Sequence, residues 1–84
     1  MYMYLEIDEI VHDVDYRDIL FEHLRMSSFA ICRVRFQLRD NLEREQTNLR
    51  AALAYRGFNA SVYLEPEKKS LLIVNRYRGP QRTS

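Results

Sequence analysis

Hydrophobic and polar residues alternate one for one in two segments of the chain, and such alternation predicts β-strands with one buried face. Residues 1–8 place methionine, leucine and isoleucine on one side and tyrosine, glutamate and aspartate on the other. In residues 29–38 one side is apolar throughout, while the other begins apolar and turns basic at Arg33 and Arg35. Each strand is therefore predicted to cover a core with one face and to leave the other open.

Two other segments repeat their apolar residues at helical spacing. Asp15 is typical of a helix N-cap, and the residues after it predict a first helix over 16–26. Asp40 is expected to cap a second helix over 41–56. Gly57 follows directly and is expected to be the left-handed residue that ends this helix.

Two short β-type segments, 60–65 and 70–77, flank a turn that contains proline and two lysines, and together they predict a hairpin. The predicted order is β-α-β-α-β-β. Because 84 residues suffice for one core only, we predict a single compact domain over residues 1–78. Residues 79–84 have no apolar periodicity and are expected to form a flexible basic tail.

Two helices cannot cover both faces of a four-stranded sheet, so we predict an α+β two-layer sandwich with both helices on one face. The residues predicted to meet the helices are Met3, Leu5, Ala30, Cys32, Val34, Phe36, Val62, Leu64, Leu71 and Ile73. Those predicted on the uncovered face are Tyr2, Tyr4, Phe29, Ile31, Arg33, Arg35, Tyr63, Leu72, Val74 and Arg76. Residues 71–74 are apolar throughout, so alternation leaves the facing of the last strand open.

Charge is divided unevenly along the chain, although the net charge is only +1. Residues 1–32 carry seven acids and two bases, and residues 33–84 carry eleven bases and five acids. Eleven of the thirteen bases are arginine, which binds phosphate and carboxylate in a two-pronged manner. The split indicates either a basic binding surface or two halves that neutralise each other in the folded domain.

The single cysteine, Cys32, excludes an internal disulfide and a cysteine-based metal site within one chain. A reducing compartment fits this composition, and we expect a cytoplasmic protein without signal peptide or membrane segment. Cys32 is expected to face the core, where a thiol is protonated and inert.

No catalytic signature is present, and we predict neither enzymatic activity nor a cofactor. His12 and Asp13 lie near Asp15 and Asp18, but the latter two acids have a sufficient role at the helix start, so we predict no metal site. The only two glycines cannot form a glycine-rich phosphate loop.

The predicted order of elements is similar to that of the C-terminal domain of translation initiation factor 3, of Alba chromatin proteins and of TusA-type sulfur carriers. The Alba resemblance implies that the hairpin at Lys68 and Lys69 contacts DNA in a dimer. Asp13, Asp15 and Asp18 occupy the region where Alba proteins have a basic segment. The Cys-Pro motif of TusA-type carriers is absent, and a shared order of elements is weak evidence for function.

Tyrosine and arginine on the uncovered face suit a nucleic-acid platform, since rings stack on bases and guanidinium groups meet phosphates. The residues predicted to bind are Tyr2, Tyr4, Arg33, Arg35, Tyr63, Lys68, Lys69, Arg76, Tyr77 and Arg78. The alternative is a protein-binding regulator or inhibitor, of phage or mobile-element origin, that acts as a homodimer through the same face. A distant third hypothesis is an enzyme that uses His12 and His23.

Overall fold

Six regular elements follow one another in the predicted order in the computed structural model, which describes residues 3–11, 15–37 and 41–76. The strands are β1 (Met3–Asp8), β2 (Ala30–Arg35), β3 (Ala60–Glu65) and β4 (Ser70–Asn75), and the helices are α1 (Tyr16–Met26) and α2 (Leu42–Tyr55). Two short 3₁₀ turns that were not predicted span Glu9–Val11 and Pro66–Lys68. No helix among the described residues is long and apolar enough to cross a membrane.

The four strands form one mixed sheet in the order β1-β2-β4-β3. β1 runs parallel to β2, and β4 is antiparallel to both β2 and β3. The hairpin formed by β3 and β4 thus joins the sheet through its second strand, β4, which pairs with β2. β1 and β3 are the two edges.

Both helices pack on the same face of the sheet, as predicted for the α+β two-layer sandwich. Phe36, Leu71 and Ile73 are at most 1% exposed and pack in the core with α1 and α2. Residues 71–74 are apolar throughout, and the structure confirms that Leu71 and Ile73 face the helices. In β1, β2 and β3 alternation of period two assigned the described side chains to the correct faces, whereas the burial of Leu71 and Ile73 decides the facing of β4.

Local capping groups fix the ends of both helices. The Asp15 carboxylate accepts from the backbone N–H of Arg17 at 3.0 Å, which caps α1 as predicted. Gly57 has φ +84°, and the Phe58 N–H donates to the Leu53 carbonyl at 2.9 Å, so α2 ends in a Schellman motif.

The start of α2 departs from the prediction. Its N-cap is Asn41, whose side-chain oxygen accepts from the Arg44 N–H at 3.0 Å. The expected cap, Asp40, lies outside the described residues. An asparagine is as good an N-cap as an aspartate, so the helix begins one residue later without loss.

A buried polar cluster joins the two helices. Glu45, 5% exposed, accepts hydrogen bonds from the Tyr16 hydroxyl and from the Arg17 guanidinium, the latter at 2.8 Å. Burial and the neighbouring Glu45 carboxylate raise the pKa of Tyr16 well above its usual value. Tyr16 is thereby held as a neutral donor, and the cluster fixes how α1 and α2 sit together.

Candidate functional site

The uncovered side of the sheet, called the open face below, is arranged in three rows set by the strand register. The rows, read from β1 to β3, are Tyr4-Ile31-Val74-Ser61, Glu6-Arg33-Leu72-Tyr63 and Asp8-Arg35-Ser70-Glu65, with Arg76 continuing β4 beside Ser61. Each row crosses all four strands, because side chains at paired positions point to the same side. The open face therefore brings together residues from both ends of the chain.

Arg33 lies at the centre of the open face and is tightly held. Its Nε and one Nη donate to the two carboxylate oxygens of Glu65 at 2.8 and 3.0 Å, and its other Nη donates to the Tyr4 hydroxyl at 2.8 Å. Ser70 lies between the two strands involved, and its small side chain lets Arg33 reach across β4 to Glu65. The pair covers Ser70, which is 0% exposed although it lies on the uncovered side.

The Arg33 guanidinium, with a second donor in the Ser70 hydroxyl at 2.6 Å, lowers the pKa of Glu65 to about 2. The carboxylate is thus charged throughout the physiological range. Sequence reasoning missed Glu65 and Ser70 as members of this face. Glu65 lies two residues from Tyr63, and Ser70 lies two residues from Leu72. This period of two could have placed both on the same face.

Arg35 is also paired, since its Nε lies 2.8 Å from the Glu6 carboxylate. This pair is more exposed than that of Arg33 and contributes less to stability. Among the residues of the open face that the structure describes, three acids (Glu6, Asp8 and Glu65) balance Arg33, Arg35 and Arg76. This described part of the open face is formally neutral, even though the half of the chain after residue 32 is basic.

Aromatic rings stand at the margins of the open face. Tyr4 is 52% exposed on the β1 side and Tyr63 is 50% exposed on the β3 side, while Phe29, 52% exposed, precedes β2. Between them the aliphatic side chains of Ile31, Leu72 and Val74 are half-buried. The open face therefore presents aliphatic side chains bordered by rings, and its two inner arginines, Arg33 and Arg35, are already paired with acids.

The remaining predicted binding residues lie away from the paired arginines. Lys68 and Lys69 are exposed at the turn between β3 and β4, and Lys69 adopts a left-handed conformation with φ 52°. Arg76 lies just past the other end of β4, about 20 Å away by the rise of a strand. The predicted residues Tyr2, Tyr77 and Arg78, like the tail over 79–84, lie outside the described residues.

The reactive side chains that the structure describes have structural roles. Burial raises the pKa of the Cys32 thiol to about 12, which keeps it protonated, as predicted. His23 is 9% exposed, and its Nε2 lies 2.9 Å from the Met3 carbonyl and 3.2 Å from the Ile31 carbonyl, so it donates to β1 and β2. Within residues 3–11, 15–37 and 41–76 no group of histidine, cysteine and acid side chains is arranged to hold a metal ion. His12 and Asp13 lie outside these ranges.

Comparison with known proteins found no matching family model, no matching curated protein and no matching solved structure. The hypotheses about function therefore depend on the geometry of the open face.

The central ion pair predicts a defined pH dependence of stability. Because the folded-state pKa of Glu65 is below its ordinary value of 4.5, the stabilisation is present above that pH and is lost as the pH falls toward about 2. The free energy of unfolding of the wild type should exceed that of Glu65→Gln at pH 6, and most of this difference should be lost as the pH falls from 4.5 to about 2. Urea titrations across this range measure it. Glu43→Gln, on the exposed side of α2, is the control. A Glu65→Gln difference that does not change with pH would contradict this role.

Proposed function

We propose that this domain is a non-catalytic protein-binding module and that a second copy of the chain covers the open face. The single observation that carries the proposal is the combination of ring-bordered aliphatic side chains with the pairing of Arg33 and Arg35 to acids within the chain. Tyrosine, phenylalanine and arginine are the residues enriched at protein interfaces. A cytoplasmic location belongs to the same proposal, since free cysteine suits a reducing compartment.

The charge of the open face favours a protein over a nucleic acid. Binding to phosphate derives its strength from unpaired cations that displace counterions. Arg33 already directs three nitrogens at Glu65 and Tyr4, and Arg35 is paired with Glu6. A phosphate would have to displace these carboxylates from a neutral surface.

The same neutrality favours a second copy as the partner, because a surface with no net charge does not repel itself. Two sheets pack face to face about 10 Å apart with interdigitated side chains. The open face spans about 20 Å along the strands and about 19 Å across them. A domain of 84 residues buries little of its own surface and gains stability by covering such a face.

Intermolecular NMR contacts test this arrangement directly. A mixture of isotope-labelled and unlabelled protein should show intermolecular contacts at the methyl groups of Ile31, Leu72 and Val74. The methyl groups of Leu71 and Ile73, in the core, should show none. Intermolecular contacts confined to other surfaces would overturn the proposed interface.

A second candidate function rests on the basic residues outside the ion pairs. Among the described residues, no acid lies within ion-pair distance of Lys68, Lys69 or Arg76. The exposed rings of Tyr4 and Tyr63 have faces on which bases could stack. Lys68 and Lys69 at the turn, Arg76 at the other end of β4 and the rings between them favour single-stranded nucleic acid as a ligand that crosses the open face along β4.

This candidate predicts binding that depends steeply on salt. A fluorescent mixed-sequence single strand should bind at low salt, and Lys68→Glu with Lys69→Glu should reduce the slope of log affinity against log salt by about 1.4, or about 0.7 for each phosphate contact. Arg44→Glu with Arg56→Glu, a matched change on exposed parts of α2 and its C-cap, is the control. Absence of binding at low salt to DNA and RNA strands would exclude the candidate.

A further inference from the structure

The two edges of the sheet differ in how they are covered. At the β3 edge, side chains of α2 reach the Val62 carbonyl: Gln46 Nε2 at 2.8 Å and Arg50 Nη at 3.2 Å. At the β1 edge, the Met3 N–H donates to the Phe29 carbonyl, so the backbone groups of Met3 point toward β2. Successive residues of a strand direct their backbone groups to opposite sides, and those of Tyr4 and Glu6 therefore point away from β2. In the part of the chain that the structure describes, nothing hydrogen-bonds to these outward groups. β1 is thus an open edge, and open edges pair readily with an added strand.

A groove runs beside this edge, between β1 and α1. Its volume is about 550 Å³, and it is lined by Leu5, Asp18, Ile19, Glu22, His23 and Met26. Leu5 and Ile19 are half-buried against the core, and Met26 is 65% exposed. A strand added to β1 would direct every second side chain into this apolar groove.

The charge around the groove is acidic. Among the described residues, Asp18 and Glu22 are the charged residues that line it; Asp8, and Glu6 with its exposed pair to Arg35, lie along the same edge strand. Glu22 forms only an exposed pair with Arg25 at 3.3 Å, which leaves it accessible to another cation. A segment that carries lysine or arginine beside its apolar residues complements this charge.

We propose that the β1 edge and its groove bind an extended, basic segment of a partner protein by strand addition. The segment alternates apolar residues, which enter the groove against Leu5 and Ile19, with lysine or arginine, which lie beside Glu6 and Asp8. Main-chain hydrogen bonds to Tyr4 and Glu6 give the affinity, and the alternating side chains give the specificity.

A second copy of the chain does not suit this edge. Two β1 strands paired antiparallel would bring Glu6 and Asp8 of one copy against the same acids of the other, and like charges on opposed strands are destabilising. The site shares Glu6 and Asp8 with the open face, but its groove and its backbone groups lie outside the homodimer interface and its partner is different, so either proposal can fail without the other.

The test uses a blocked hexapeptide that alternates lysine with valine, titrated into the full chain. The peptide should bind and should slow hydrogen exchange at the amides of Tyr4 and Glu6. Methylation of the peptide nitrogens that face β1 should weaken binding tenfold or more, because it removes the strand hydrogen bonds while charge is retained. Equal binding of the methylated peptide, or no binding of either, would overturn the proposal.

A charge reversal on the edge strand distinguishes binding at this site from general attraction to an acidic surface. Asp8→Lys, beside the lysines of the bound peptide, should weaken binding of the hexapeptide by about fivefold or more, whereas Glu43→Lys, a charge reversal on exposed α2, should leave it unchanged. Equal effects of the two variants would contradict the assignment. Protection of the Tyr4 and Glu6 amides before any peptide is added would show that the edge is already occupied, and would also overturn it.

Discussion

Leu71→Asp is expected to unfold the domain. Leu71 is 0% exposed and packs beneath both helices, so the variant loses a buried side chain, at about 2–5 kcal/mol, and places a carboxylate in the core, at a cost of several kcal/mol more. A domain of this size is stable by only about 5–10 kcal/mol. The combined cost is therefore as large as the free energy of unfolding, and the variant should not fold.

Far-UV circular dichroism measures this outcome. The Leu71→Asp spectrum should lack the helical signal, and its urea titration should show no cooperative transition. Leu71→Met, which keeps the volume, should cost less than about 1.5 kcal/mol and retain the transition. A folded Leu71→Asp variant would mean that Leu71 does not face the core.

Leu72→Asp, one residue further along β4, is expected to leave the monomer folded and to abolish self-association. Leu72 lies on the open face between Arg33 and Tyr63 in the second row. In the monomer a carboxylate there remains in contact with water and beside an arginine, so its cost is small. In the dimer the same carboxylate would be buried without a matched partner, which costs several kcal/mol and weakens association at least about a hundredfold.

The contrast between Leu71 and Leu72 was not predictable from periodicity, because residues 71–74 are apolar throughout and alternation left the facing of β4 open. The burial of Leu71 and Ile73 in the structure decides it. In β1, β2 and β3 period two did separate the two faces, since a one-residue shift would exchange them. The end of α2 was equally predictable, since Gly57 supplies the positive φ that its last turn requires.

Strand order could not be obtained in this way. The alternation of apolar and polar residues shows which side chains of one strand share a face. It is the same whichever strand lies next to it, so it does not determine the strand order. The insertion of β4 between β2 and β3 is a property of the whole sheet. The Arg33–Glu65 pair joins residues 32 positions apart and depends on that insertion, so it was outside the reach of sequence reasoning.

The ion pairs of the folded domain change the interpretation of the uneven charge along the chain. Arg35 pairs with Glu6, and Arg17 pairs with Glu45, so acids and bases from the two halves meet in the folded domain. Such neutralisation between the two halves is the interpretation that the sequence offered as the alternative to a basic binding surface. Asp18 and Glu22 of the β1 groove and the lysines at the β3–β4 turn lie outside these pairs.

Sedimentation equilibrium of the wild type and of Leu72→Asp is the most direct test of the open face as an interface between copies. Wild-type protein at tens to hundreds of micromolar should have twice the monomer mass of 10.1 kDa, and Leu72→Asp should have the monomer mass with an unchanged circular dichroism spectrum. Leu72→Met should remain dimeric. A wild type that is monomeric throughout this range, or a Leu72→Asp variant that still sediments as a dimer, would contradict the proposed interface.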